Sequence, residues 1–104
     1  MDRYSTKNPR AVFDVDGTLI SIINDLPNWK VIDLMRHLHS MGWHISVHSG
    51  GGKDYAEMWV RRLNLQEFVW ETFAKGNPKE YDGFDLSFDD EIVTYATVNI
   101  QVKP

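Results

Sequence analysis

Short apolar or alternating stretches along the chain are interleaved with two longer segments whose apolar residues recur at helical spacing. "RAVFDVD" predicts a first strand, apolar until Asp14 and Asp16 and ended by an Asp-Gly turn signal. Residues 19–26 read as irregular or as a small hairpin. In "LPNWKVIDLMRHLHSMG" the apolar residues Ile32, Met35, Leu38 and Met41 follow three-residue steps and predict a helix. Pro27 suits its first turn and Gly42 its stop. "WHISVHS" predicts a second strand, and "GGGK" follows at once. A second helix from about Asp54 to Asn64 carries Tyr55, Met58, Trp59 and Leu63 on one side. "FVWETF" predicts the third strand. In "FDLSFDD" Phe84, Leu86 and Phe88 alternate with Asp85, Ser87 and Asp89, and in "TVNIQV" Val98, Ile100 and Val102 alternate with Thr97, Asn99 and Gln101.

Strands separated by helices indicate an α/β domain with a largely parallel, Rossmann-like sheet of five strands. Ligands in such sheets bind beyond the carboxyl ends of the strands. Asp14 and Asp16 end the first strand, Ser49 the second, and Asp89 and Asp90 the fourth. Polar groups from separated stretches therefore converge on one edge.

Carboxylates gathered in this way repel one another. Two unit charges 4 Å apart cost about 4 kcal/mol at an effective dielectric of ~20. The cluster must take up protons or bind a cation, and hard oxygen ligands favour Mg²⁺ with water and a phosphate. Ser49 and the amides of Gly50 and Gly51, just before a helix, offer hydrogen bonds to anionic oxygens. A lysine from the next segment would balance the charge.

Composition narrows the picture. A chain of 104 residues holds one domain, residues 1–104. Its net charge of −4 argues against a general nucleic-acid surface. The absence of cysteine excludes disulfides and thiolate zinc sites and suggests the cytoplasm. No apolar stretch reaches transmembrane length, and "MDRYSTKNPR" lacks the hydrophobic core of a signal peptide, so no membrane partner is expected.

"VFDVDGTL" resembles the first motif of the haloacid dehalogenase-like (HAD) superfamily, a strand followed by Asp-x-Asp-Gly-Thr. "ISVHSGG" is similar to the second motif and "LSFDDE" to the fourth, in the order that superfamily shows. The resemblance covers Ala11 to about Val102. It implies a Mg²⁺-dependent phosphomonoester phosphatase acting through an aspartyl-phosphate on Asp14. Asp16 would be general acid and then base. Mg²⁺ would be held by the Asp14 carboxylate, the Asp16 backbone carbonyl and Asp89, with Asp90 assisting. Ser49 and Gly50 would bind the phosphoryl group. The motif lysine is Lys75 or Lys79, and the end of the third strand favours Lys75.

The resemblance further implies the strand order 5-4-1-2-3, with both right-handed crossovers placing helices on one face. The ten or so residues from Lys75 to Phe84 can make the return without a full helix. The polar rows His44/Ser46/His48, Asp85/Ser87 and Thr97/Asn99/Gln101 predict a thinly covered opposite face, solvated or used for self-association. His44 and His48 are expected on that solvated surface, and Trp29, Trp43, Trp59 and Trp70 in or at the core. The intervals Leu19–Leu26 and Phe73–Phe84 are too short for the superfamily's cap domains. An open site implies a bulky phosphorylated substrate, a protein or, with nucleic acid only as substrate, a nucleic-acid end. Phosphoryl transfer to another acceptor and a non-catalytic regulatory module that binds metal and phosphate are the alternatives. Retention of Asp16 favours the enzyme.

Overall fold

The computed structural model describes residues 8–103; the leader reading of Met1–Arg10 lies largely outside them. The strands are β1 (Arg10–Asp14), β2 (His44–Ser49), β3 (Val69–Ala74), β4 (Leu86–Asp89) and β5 (Val98–Gln101). They form one sheet in the order β3-β2-β1-β4-β5. Every pairing is parallel, and the order is the expected one seen from the other edge. β3 carries a register irregularity: Val69 faces Ile45, but Glu71 faces Ser46, so Trp70 is an extra residue.

Helices α1 (Trp29–Ser40) and α2 (Lys53–Arg62) both pack on one face. The periodicity explains why. Ile32, Met35 and Leu38 of α1 and Ala56, Trp59 and Val60 of α2 meet Ala11, Phe13, Ile45, Val47 and Phe88 of the sheet in one core. Phe13 and Phe88 stack at 4.5 Å, worth about 0.5–1.5 kcal/mol beyond their burial. The predicted helix bounds shift slightly. Pro27 precedes the cap residue Asn28 rather than entering the first turn, and Met41 is the exposed C-cap rather than part of the apolar stripe. Gly42 follows with φ +93°, a conformation that a side chain would strain.

The opposite face has the thin cover expected of it but is not solvated. Among the described residues it carries no full-length helix, only the 3-10 helix Pro78–Tyr81. Yet Ser46, His48 and Ser87 are buried rather than solvated. Tyr81, Phe84, Phe73 and Val12 cover them, with Tyr95 and Ala96 packed against the cluster. The polar row is bonded internally: Ser46 Oγ donates to Glu71 at 3.1 Å, and Ser87 Oγ to Asn99 at 2.6 Å. Alternation with Leu86 and Phe88 predicts Phe84 on the helix face, but β4 starts only at Leu86, after Gly83 at φ +89°. The ring therefore turns to the opposite face, under the Arg10 guanidinium at 4.2 Å. Trp59 is core and Trp43 half-buried, whereas Trp29 and Trp70 are exposed. Trp29 begins its helix on the outer side, and Trp70 is the extra residue of the irregular edge strand. Among the described residues no helix is long and apolar enough to cross a membrane.

Candidate active site

Strand register assembles the site. Phe13 lies opposite Phe88, so the next residues, Asp14 and Asp89, leave the sheet side by side. Asp14 also lies opposite His48 of β2. Alternation turns all three away from the helices, and one ligand atom from each lies within 4.8 Å of the others. Asp14, His48 and Asp89 are buried at 5%, 1% and 0% exposure, and desolvation is the largest influence on the protonation of Asp14 and His48.

Burial pushes the Asp14 pKa up to about 7, and the Asp89 charge adds to it. The Lys75 ammonium works against them, while Asp90 raises it further. Thr18 Oγ1 lies 3.4 Å from Asp14 Oδ2, a long hydrogen bond. Lys75 Nζ lies 2.7 Å from Asp89 Oδ2 and 3.6 Å from Asp14 Oδ1. The nearer contact is an ion pair rather than an aligned hydrogen bond. Burial alone would lower the Lys75 pKa, but contact with Asp89 and the charge of Asp14 hold it above the ordinary lysine value. The Lys75 amide donates to the Ser49 carbonyl at 2.9 Å, which continues the β3 ladder into the site. Lys79 is exposed on the 3-10 helix and enters none of the ion pairs among the described residues. Of the two candidate lysines, the fold brings only Lys75 to the carboxylates.

Asp16 sits beyond β1 on a tight loop in which the Thr18, Leu19 and Ile20 amides all donate to the Val15 carbonyl. Gly17 has φ +80°, and a Cβ built there would come within 2.6 Å of Asp90 Cγ. Only glycine lets the Asp90 side chain lie against this loop. Burial and the contact with Asp89 raise the Asp90 pKa, and the contact with Asp14 opposes them. The Asp16 carboxylate accepts a hydrogen bond from the Tyr55 hydroxyl of α2 at 2.9 Å. The sequence pattern places Tyr55 only on a face of the second helix; nothing in its spacing announces a partner on another loop.

Ser49 ends β2 with its side chain buried. The Gly51 amide donates to Ser49 Oγ at 3.0 Å, so that amide is engaged within the loop and the serine proton is free to donate outward. Gly50 faces open space where a Cβ would stand. Gly52 then caps α2 without any side-chain hydrogen bond, leaving the first-turn amides of that helix to anions or solvent.

His48 is the residue that sequence reasoning missed. Expected on a solvated surface, it is buried against Phe73, Tyr81 and Tyr95. Its Nδ1 lies 2.8 Å from the Tyr81 hydroxyl. Its Nε2 lies 3.9 Å from Asp89 Oδ2 and has no hydrogen-bond partner among the described residues. Burial, and then the Lys75 charge, lower its pKa to about 4 against the pull of Asp89, so the ring is neutral near pH 7. The same burial pushes the Tyr81 hydroxyl up to about 12, opposed by a hydrogen bond from Gly76. A signal does exist in the chain: His48 pairs with Asp14 once β2 is aligned on β1. Its value depends on knowing the register. No family model, no curated protein and no solved structure matches the chain.

Proposed function

We propose that the chain is a Mg²⁺-dependent phosphomonoester phosphatase of the HAD type. The observation that supports it most is the meeting of Asp14, Lys75 and Asp89 at the carboxyl ends of β1, β3 and β4. The donor set fits the ion. Asp14 and Asp89 are buried carboxylates with Asp90 beside them, and among the described residues Lys75 alone supplies an ammonium to the cluster. Asp14, the Asp16 carbonyl, Asp89 and Asp90 would hold Mg²⁺. When bound, it would neutralise phosphate oxygens and keep the Asp14 carboxyl ionised.

The chain's own residues account for the remaining chemistry. Asp14 attacks phosphorus and the bond to the leaving oxygen breaks, while Asp16 gives that oxygen its proton. In the second half Asp16 takes a proton from water, the water oxygen attacks phosphorus, and the bond to Asp14 breaks to release phosphate. Splitting one displacement into two easier ones is the gain from covalent catalysis. Tyr55 fixes the Asp16 carboxylate, Ser49 donates to a phosphoryl oxygen, and Lys75 offsets its charge.

The segments that could carry a lid are short. Ile20 bridges Asp16 and Pro27, and the loop between leaves Ile22, Ile23 and Leu26 exposed. Such a loop gives little grip on a small substrate and suits a bulky phosphorylated one. The cysteine-free composition fits a reducing compartment such as the cytoplasm. The test is release of phosphate from p-nitrophenyl phosphate with Mg²⁺, with a chelator control and Asp14→Asn. Activity that survives Asp14→Asn would remove the covalent mechanism.

A further inference from the structure

We infer that His48 Nε2 makes this a mixed nitrogen–oxygen metal site, which takes first-row transition ions such as Co²⁺ more tightly than Mg²⁺. The inference rests on the proposed phosphatase site only in that Asp14 and Asp89 share a divalent ion.

His48 is 1% exposed, and its Nε2 has no hydrogen-bond partner among the described residues. An imidazole nitrogen buried without a partner is costly unless something occupies its lone pair. What it faces is Asp89 Oδ2 at 3.9 Å and, across the strand, Asp14. Two ligands each about 2.1 Å from one ion stand at most ~4.2 Å apart, so the His48–Asp89 pair is already at ligand separation. One ligand atom from each of the three residues lies within 4.8 Å of the others, a separation that a small rotation of a carboxylate closes.

The other side of the ring is arranged as metal-bound histidines usually are. His48 Nδ1 lies 2.8 Å from Tyr81 Oη, and that oxygen also accepts the Gly76 amide at 2.9 Å. An ion at Nε2 selects the tautomer in which Nδ1–H donates to Tyr81, fixing the ring plane. Oxygen ligands alone suit Mg²⁺, whereas an added imidazole favours the later ions of the first transition row. Lys75 competes for the same carboxylates, and Glu91 Oε1, 4.0 Å from its Nζ, gives the ammonium another partner when an ion enters.

The test titrates the full chain separately with Co²⁺ and Mg²⁺, by calorimetry and by visible absorption for Co²⁺. His48→Gln should weaken Co²⁺ by more than the roughly 10–100-fold that loss of a ligand's hydrogen-bond partner costs, and leave Mg²⁺ within about threefold. Tyr81→Phe should weaken Co²⁺ in the same direction by less. Wild-type protein loaded with Co²⁺ should show a hyperfine-shifted, exchangeable imidazole proton from His48 by NMR, a measurement that needs no variant to fold. Equal Co²⁺ affinity in wild type and a folded His48→Gln, or no such resonance, overturns the inference. If Mg²⁺ binds and hydrolysis proceeds while His48 ignores Co²⁺, this inference alone falls. If Co²⁺ binds through His48 and no phosphomonoester is hydrolysed, the proposed activity falls and this site stands.

Discussion

The Tyr55 hydroxyl reaches from α2 to Asp16 Oδ1 at 2.9 Å, tying the loop after β1 to the helix after β2. The tyrosine ring can lie there because Gly51 has no side chain; a Cβ at that position would stand 2.9 Å from Tyr55 Cδ2. Tyr55→Phe removes the hydrogen bond and little volume. We expect kcat to fall about 10–150-fold, in line with ~1.5–3 kcal/mol for a hydrogen bond to a charged group. Mg²⁺ affinity should stay unchanged. The decisive measurement repeats the substitution in an Asp16→Asn background, where it should have no further effect. An equal loss in both backgrounds would show that Tyr55 acts elsewhere.

Asp14→Asn should end turnover yet raise the melting temperature of the ion-free protein at pH 8. With a folded pKa of about 7 against 3.8 unfolded, Asp14 holds a proton that the unfolded chain has lost, so its contribution to stability fades as pH rises through that window. An amide has no such penalty. In the wild type, Mg²⁺ at tenfold its Kd should add about 1.4 kcal/mol, or several degrees. Asp14→Asn should lose most of that shift. A wild-type melt indifferent to millimolar Mg²⁺ would count against one shared site.

Gly17→Ala should destabilise the fold by about 1–3 kcal/mol, since it combines a strained backbone at φ +80° with a collision at Asp90. Urea unfolding measures it. A substitution that leaves the urea midpoint unmoved would mean that the loop and Asp90 can separate freely.

His48 sets a pH signature for the ion-free protein. Its pKa is 6.5 unfolded and about 4 folded, so between these values the unfolded chain binds the additional proton. Stability therefore rises with pH across that window and is flat with respect to this group above it. Relative to His48→Gln, the wild type should lose up to about 3 kcal/mol as pH falls from 6.5 to 4. The charged and titratable groups facing the ring, Asp14, Asp89, Lys75, Tyr81 and Tyr95, are common to both proteins. A difference curve without slope below pH 6.5 would show that the imidazole is not desolvated.

Much of the fold was legible in the sequence because period-two and helical repeats report burial. Phe13, Val47, Ile32 and Trp59 were enough to place strands and both apolar helix faces. The carboxylates stood out because a folded chain keeps charge at the end of an apolar strand only where a cation or a proton can offset it. Phe84 and His48 were misplaced because alternation assigns a side but cannot say what covers it; the cover comes from irregular segments around Tyr81 and Tyr95. The end of the third strand already favours Lys75 over Lys79, and its ion pair with Asp89 agrees, whereas the Tyr55 contact depends on long-range geometry that local pattern does not encode.

The extra residue in β3 gives the edge strand a tolerance for changes of length. Upstream of Trp70 the chain meets β2 through a single pairing, Ile45 with Val69, and the surplus residue is absorbed before Ser46. Downstream, Glu71, Thr72, Phe73 and Ala74 pair one-to-one up to Ser49, and Lys75 is the next residue. A deletion at Trp70 would only straighten the strand and leave the lysine in place. The same deletion at Thr72 would turn Phe73 to the other face and withdraw Lys75 from Asp89 by a full step of ~3.3 Å. Changes of length should therefore be tolerated before the irregularity and damaging after it, a boundary only one residue wide.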